Sequence, residues 1–258
     1  FVAIMDPPRA NVKEAVETAH DAGIDVVMIT GDAQPTAKAI AQQISILEKS
    51  EDQVMDGMQL QDLTAAADLS AVRVYSRVSP QDKQKIVENY QHHNRVVAMT
   101  GDGVNDALAL NMADAGIAMG IQGTDVAKES ADMVISDDAF ESIIEGIRRG
   151  RGIFANIRSI VFFFICINLF EGIVQFMLAV VFDLPYFLDE EFNSMWIFLS
   201  ITLHLFPSMI LTFDTIAQDV MEEKPRNSEE IISRKFLYLM LIYGGLLAIS
   251  MVLTYFTD

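Results

Sequence analysis

The stretch "VVAMTGDGVNDALAL", Val96–Leu110, joins an apolar run to a polar turn that carries two carboxylates, one carboxamide and two glycines. The apolar run has the length and composition of a buried strand, and the residues after the turn favour a helix. In an open parallel sheet, ligands bind beyond the carboxyl ends of the strands. The stretch therefore predicts a polar binding site at the end of a buried strand.

Composition excludes one class of partner. The chain has 258 residues, of which 51% are hydrophobic, and its 36 acidic and 18 basic residues give a net charge of −18. No basic patch offsets repulsion from phosphates, so nucleic acid is not expected as a partner. The single cysteine, Cys166, lies in an apolar run and has no cysteine to pair with inside the chain.

The first 150 residues alternate between short β-branched apolar runs and longer helical runs. This alternation is typical of a parallel sheet with helices on both faces, so we predict an α/β, Rossmann-like fold. The predicted strands are "IDVVMIT", "RVYS", "RVVAMT", "AGIAM" and "DMVIS", and the predicted helices are 11–22, 34–46, 80–90 and 140–157.

A second strand end, "MITGD", repeats the Thr-Gly-Asp junction of the opening stretch. Because the carboxyl ends of parallel strands meet at one edge of a sheet, residues 30–32 are expected beside Asp102. Glycine lets the backbone approach a phosphate, and Mg²⁺ would bridge a carboxylate to that phosphate. The alternative is that both Gly-Asp pairs are plain turns, with Asp106 capping the following helix.

Three long apolar runs occupy the second half, at 160–182, 195–213 and 236–256. Each has about the 20 residues that a helix needs to cross a bilayer, and the alternative is a set of buried core helices. Arginines and lysines cluster at 148–158 and 224–235, whereas 183–193 has none. By the positive-inside rule, the first half and the 218–235 link are expected in the cytoplasm.

Five motifs stand in a familiar order: "DPPR" (6–9), "MITGD" (28–32), "SRVSPQDKQKIV" (76–87), "MTGDGVNDA" (99–107) and "GRGIFANIR" (150–158). With them the chain resembles the cation-transporting P-type ATPases, in the branch of the calcium and sodium pumps, over nearly its whole length. The resemblance implies a partial haloacid-dehalogenase-type sheet, the C-terminal part of the phosphorylation domain, in residues 1–157. Residues 158–258 would form a transmembrane α-helical segment, the fifth to seventh helices of such a pump.

The resemblance also implies the chemistry. An aspartate of these pumps attacks the γ-phosphate of ATP with Mg²⁺ as cofactor, and catalysis depends on positioning and charge. Asp102 would bind Mg²⁺, Asn105 would contact the phosphoryl group and Lys83 would neutralise it. The remaining implied site residues are Asp106 as a support, Thr30, Gly31 and Asp32 at the phosphate-contacting turn, and Arg9 and Arg77 at hinge and nucleotide-side positions.

Two departures from the family pattern affect this expectation. The sequence contains no DKTGT, the motif of the family's nucleophile, and Leu108 replaces the proline of GDGVNDAP. A first-turn proline helps a helix start but is not required. We therefore expect the chain to be inactive alone and to belong to a larger pump, with nucleotide-binding and actuator domains and helices 1 to 4 as its remaining parts.

The membrane segment carries a candidate ion site. Asn168 and Glu171 lie three residues apart, on one face of a helix, and a carboxylate within a span is by default a site for an ion or proton. By the resemblance, His204 stands at the calcium pumps' key aspartate, with Ser200 and Leu203 nearby. Structural alternatives are a protonated, buried Glu171 and an interhelical contact for His204. Pro207 is expected to interrupt the second span.

The predicted function is part of an ATP-driven pump that exports Ca²⁺, a monovalent ion or H⁺ through the plasma membrane, with its catalytic domain in the cytoplasm. Its partners would be the lipid bilayer, the transported cation and the rest of the pump. One alternative is a membrane-anchored haloacid-dehalogenase-type phosphatase. Another is a non-catalytic fragment that binds phosphate and Mg²⁺.

Overall fold

The structure, a computed structural model, describes residues 8–9, 11–48, 52–63, 67–181, 190–225 and 234–257. Most of "DPPR", the loop after the first apolar run and part of the 218–235 link lie outside these ranges. The chain divides into two compact units, Phe1–Arg148 with Met221–Pro225 and Arg149–Val220 with Arg226–Asp258. The predicted domain boundary after residue 157 stays a prediction.

The first unit is built on parallel strands, as the alternating pattern predicts. The described strands are β1 (Met28–Ile29), β2 (Gln53–Asp56), β3 (Val72–Ser76), β4 (Ala98–Gly101), β5 (Ala115–Met119) and β6 (Met133–Ile135). They form two three-stranded sheets with the orders β1-β3-β2 and β4-β5-β6. The sequence did not predict β2, because only two of its four residues are apolar.

Helices cover both faces of the first sheet, because neighbouring residues of a strand point to opposite sides. Val74 packs against Ala37, whereas Tyr75 packs against Leu60 and Ile86. The described helices of this unit are α1 (Val12–Asp21), α2 (Gln34–Gln43), α3 (Gly57–Gln61), α4 (Pro80–His92), α5 (Ala107–Met112) and α6 (Asp125–Ser130). Met99, Leu110 and Ala127 form the core beside β4 and β5.

The later part of the chain is helical. Helix α7, Phe140–Phe176, continues into a π-helical turn at Met177–Val181. The sequence predicted separate helices at 140–157 and 160–182, but no proline separates them and the helix is continuous. The remaining helices are α8 (Glu190–Ser200), a π-helical turn (Ile201–Leu205), α9 (Phe206–Leu211) and α10 (Arg234–Thr257).

Within the described residues, α7 is the one helix that is long and apolar enough to cross a membrane. Only 11% of its most apolar window is buried, unlike a core helix of a soluble protein. The second apolar run is interrupted by the π-helical turn just before Pro207, where sequence predicted a break. There the hydroxyl of Ser208 donates to the carbonyl of Leu205 at 2.7 Å. The shorter apolar stretch Leu237–Leu246 lies within α10.

Candidate active site and cation site

Helix α4 presents a lysine to the polar turn after β4. The helix begins with a capping box, in which Ser79 and Asp82 accept each other's backbone N–H groups, followed by Pro80 at its first position. One residue after Asp82, Lys83 donates from Nζ to Oδ1 of Asp106 at 2.5 Å. The two side chains are only 19% and 8% exposed, so this charge pair is shielded from water.

The turn after β4 is shaped around Asp106. Its other oxygen, Oδ2, accepts the N–H of Gly103 at 3.3 Å. A Cβ on Gly101 would lie 2.5 Å from the Cβ of Asp106, so only glycine fits there. The side chain of Asp106 does not cap α5. The Asp106 carboxylate therefore does not cap α5; it holds Lys83 and, through the Gly103 N–H, caps the short 3-10 turn Val104–Asp106.

The two other polar residues of this turn, Asp102 and Asn105, are exposed. The carbonyl of Asp102 accepts the N–H of Thr124 at 2.8 Å, which fixes its backbone while leaving its carboxylate accessible. Mg²⁺ usually binds one or two carboxylates and keeps its other positions for water and phosphate oxygens. The exposed carboxylate of Asp102 fits that donor set. In the described part of the chain, no group of three or more His, Cys, Asp or Glu side chains converges.

The Thr-Gly-Asp turn after β1 is held by the segment that leads into α4. The N–H of Val78 donates to the carbonyl of Thr30 at 3.2 Å, and the N–H of Asp32 donates to the Thr30 hydroxyl at 3.1 Å. A Cβ on Gly31 would meet no atom within 4 Å, so a ligand has room there. Both turns thus contact the β3–α4 region. The expected closeness of residues 30–32 to Asp102 stays a prediction.

A second polar cluster lies among the helices of the later unit. The hydroxyl of Ser200 donates to Oε1 of Glu171 at 3.3 Å, and Nδ1 of His204 lies 3.7 Å from Oε2. This Nδ1 is buried and has no hydrogen-bond partner among the described residues. The amide of Asn168 instead donates to the carbonyl of Phe164 in its own helix. The structure therefore gathers Glu171, Ser200 and His204, and places the Asn168 amide elsewhere.

Known proteins resemble both parts of the chain. Residues 1–114 match the haloacid dehalogenase-like hydrolase family, and residues 194–258 match the C-terminus of cation-transporting ATPases. A calcium-transporting ATPase of Bacillus subtilis is 40% identical over 98% of this chain and 28% of its own length. The human calcium-transporting ATPase type 2C member 1 is 39% identical over 96% of this chain and 27% of its own length.

The chain belongs to the P-type cation-transporting ATPases. The potassium-transporting ATPase alpha chain 2 of Cavia porcellus is also related, with 35% identity. The chain spans little more than a quarter of the length of these relatives. The haloacid-dehalogenase-type α/β fold predicted from the motifs is confirmed by the family match and by the parallel strands.

In this member of the P-type ATPase family, the two predicted arginines have partners other than Lys83 and Asp106. Arg77 has a left-handed backbone (φ 52°) and its Nη1 lies 3.9 Å from Oδ2 of Asp56. The guanidinium of Arg9 donates to the carbonyl of Asp138 and, at 3.1 Å, to Oε1 of Gln122. Their nucleotide-side and hinge roles stay predictions.

Sequence reasoning missed several residues that shape the candidate site. Asp56, Thr124 and Asp138 each hold a site residue or a loop beside it through a charge pair or a backbone hydrogen bond. A signal for Thr124 was available, since a threonine before "DVAKES" is a typical helix cap. The partner of Asp138 lies in another loop, and no spacing within the sequence indicates it.

Proposed function

We propose that this chain supplies the metal-binding and charge-neutralising half of a phosphoryl-transfer site in an ATP-driven cation pump. The observation that carries this proposal is the shielded pair between Lys83 of α4 and Asp106 of the turn after β4, because the same turn carries the exposed carboxylate of Asp102. A helix-borne cation that reaches a glycine-rich turn with an exposed carboxylate suits a transferring phosphate and its metal ion.

Each residue has a defined part in this proposal. Asp106 fixes the Lys83 ammonium, so that its charge needs no reorganisation when a phosphoryl group arrives. The carboxylate of Asp102 would hold Mg²⁺, which would neutralise negative charge on the phosphate oxygens. The exposed amide of Asn105 would donate to a phosphoryl oxygen, and the open turn at Gly31 would admit the phosphate.

The rest of the pump would complete the reaction. The 258 residues contain no DKTGT, so the aspartate that accepts the phosphoryl group of ATP would come from another segment of the same pump, next to nucleotide-binding and actuator domains. The length and apolar composition of α7 support a location of the pump in a lipid bilayer. We assign it to the plasma membrane, with the first unit in the cytoplasm, because the basic cluster at 148–158 directly precedes the apolar run of α7 that begins at residue 160.

The exported cation would bind at Glu171. The Glu171 carboxylate faces the hydroxyl of Ser200 and the imidazole of His204. Helix 4 of the pump would add further ligands. A carboxylate inside a span is expensive unless it serves an ion or proton. The cation is Ca²⁺ or, because one carboxylate serves the described site, a monovalent ion or H⁺.

Phosphorylation of the full-length pump tests the proposal. Lys83→Ala should slow formation of the phosphoenzyme from labelled ATP by on the order of 10², because the charge next to the phosphoryl group is lost. Asp102→Asn should raise the Mg²⁺ concentration needed for phosphorylation. The matched control is Lys85→Ala, which removes a lysine of the same helix that is 54% exposed and pairs with Asp82.

The outcomes separate the alternatives. Wild-type rates in both Lys83→Ala and Asp102→Asn would show that the site is assigned wrongly. Release of phosphate from small phosphoesters without a phosphoenzyme would favour a phosphatase. A wild-type pump that binds Mg²⁺ and phosphate without turnover would favour a non-catalytic role.

A further inference from the structure

Asp138 occupies a constrained position in the turn between β6 and α7. Its side chain is 4% exposed, and its backbone is left-handed with φ 53°, which is uncommon outside glycine, asparagine and aspartate. Its Oδ1 accepts the N–H of Ile121 at 3.0 Å and its Oδ2 accepts the N–H of Gln122 at 2.7 Å. Both carboxylate oxygens thus hold the loop after β5.

That loop, residues 120–124, is also bonded to the candidate Mg²⁺ ligand. The N–H of Thr124 donates to the carbonyl of Asp102 at 2.8 Å, and the N–H of Gly120 donates to the carbonyl of Ile135 at 2.7 Å. A Cβ on Gly120 would lie 2.5 Å from a backbone oxygen, and one on Gly123 only 1.9 Å. The loop is therefore tightly packed, and it joins Asp138 to Asp102 through backbone hydrogen bonds.

The negative charge of Asp138 allows its side chain to hold the 120–124 loop. Burial alone would raise the pKa of its carboxyl group, but the N–H donors of Ile121, Gln122 and Gly120 hold the pKa below its usual value. The carboxylate is therefore ionised and accepts on both oxygens. The guanidinium of Arg9 also donates to the carbonyl of Asp138 and to the side chain of Gln122.

We propose that Asp138 is a positioning residue for Asp102. It fixes loop 120–124, and the Thr124 N–H of that loop fixes the backbone from which the Asp102 carboxylate extends. The inference rests on the proposed function of Asp102 as a Mg²⁺ ligand. Residues that orient metal ligands typically change metal affinity about 10- to 100-fold when they are replaced.

The test compares two neighbouring aspartates in the full-length pump. Asp138→Asn keeps the shape of the side chain but leaves one acceptor oxygen for two N–H groups. The control is Asp137→Asn, since the carboxylate of Asp137 accepts from the N–H of Ala139 at 3.1 Å and the hydroxyl of Ser142 at 2.6 Å. The measurement is the amount of phosphoenzyme formed from labelled ATP at increasing Mg²⁺ concentration, with nucleotide affinity measured alongside by a fluorescent ATP analogue.

For Asp138→Asn we expect the Mg²⁺ midpoint to rise on the order of tenfold, with nucleotide affinity unchanged and the Asp137→Asn midpoint close to that of the wild type. A purely structural role would lower the maximal phosphoenzyme without moving the midpoint, and that result would overturn the inference. A wild-type pump that forms no phosphoenzyme would instead overturn the proposed function, and this inference with it.

A second variant covers the case in which Asp138→Asn does not fold. Arg9→Gln removes the guanidinium that holds the Asp138 carbonyl, so the Mg²⁺ midpoint should again rise, by a smaller factor. Hydrogen exchange of the amides of 121–124 should be faster in either variant than in Asp137→Asn. An unchanged midpoint together with unchanged exchange in Arg9→Gln would also overturn the inference.

Discussion

At the proposed cation site, the described residues bring together one carboxylate, one hydroxyl and one imidazole, whereas a calcium site needs many oxygens. Ca²⁺ takes six to eight oxygen ligands, whereas an imidazole nitrogen is a poor ligand for so hard a cation. Glu171 and Ser200 supply oxygens, and His204 adds a buried Nδ1 at 3.7 Å from the carboxylate. The ligand set therefore favours a single cation over two Ca²⁺ ions.

Replacing these residues should change cation dependence. Glu171→Gln removes the formal charge of the cluster, so the apparent cation affinity of ATP hydrolysis should fall by about tenfold or more, which corresponds to ~1.4 kcal/mol. His204→Asp should increase the preference for Ca²⁺ over Na⁺ and K⁺, because it adds oxygen ligands. The measurement is ATPase activity of the full-length pump across these three cations.

Thr202→Val is the matched control for the cation site. The hydroxyl of Thr202 donates to the carbonyl of Phe198 in the same helix, so its loss should leave cation affinity unchanged. If Glu171→Gln retains both the affinity and the maximal rate of the wild type, the site lies elsewhere. A stoichiometry of two Ca²⁺ per ATP would contradict the single-cation conclusion.

Single residues were predictable to different degrees. Lys83 and Asp102 could be found because they stand in dense, ordered motifs, and the structure adds that Lys83 pairs with Asp106. Sequence position pointed to both Ser200 and His204 as positions of the candidate ion site, but which of them bonds to Glu171 depends on how the helices pack, and the structure shows that the Ser200 hydroxyl does. The role of Asp138 depends on a left-handed backbone and a distant loop, which no local pattern encodes.

At the level of elements, the two Thr-Gly-Asp turns have the same sequence but different surroundings. A Cβ on Gly101 would lie 2.5 Å from the Cβ and 2.8 Å from the Cγ of Asp106, a residue that Lys83 holds in place. A Cβ on Gly31 would meet nothing within 4 Å. Gly101 is needed for packing, whereas Gly31 leaves space for a ligand.

This difference predicts that replacing glycine by alanine has a large effect on stability at Gly101 and a small effect at Gly31. Gly101→Ala should destabilise the chain by ~1–3 kcal/mol, because overpacking displaces Asp106 from Lys83. Gly31→Ala should change stability by less than ~0.5 kcal/mol. Thermal unfolding of the chain in detergent, followed by circular dichroism, measures both variants against the wild type. Equal midpoints for the two variants would contradict the packing difference.

The ends of helices and strands are not predicted by apolar sequence patterns alone. Apolar run length predicts where a helix enters a membrane, but helical hydrogen bonds continue across that boundary, so α7 runs unbroken from Phe140 to Phe176. The seven-residue run "IDVVMIT" is reduced to the two strand residues Met28–Ile29, because only these pair with β3. Strand ends depend on the partner strand, which the run itself does not specify.

For the whole molecule, the fold class was predictable and the completeness of the site was not. Alternating patterns and ordered motifs indicated a parallel α/β unit joined to apolar helices, and the family matches agree. Among the described strands, β1 pairs only with β3 and β4 only with β5. Among the described residues, neither β1 nor β4, the strands that lead into the two Thr-Gly-Asp turns, has a strand on its other edge.

The chain by itself should consequently form no phosphoenzyme. In the proposed site Lys83 would supply a positive charge and Asp102 a metal ligand, but phosphoryl transfer to an aspartate also needs that aspartate, and the 258 residues contain no DKTGT. Positioning and charge neutralisation without an acceptor give no covalent product. The experiment incubates the purified chain with labelled ATP and Mg²⁺ and separates the products by acid gel electrophoresis, with the full-length pump as the positive control. A labelled band at the mass of this chain would show that another of its carboxylates accepts the phosphoryl group, and would refute the division of the site between two segments.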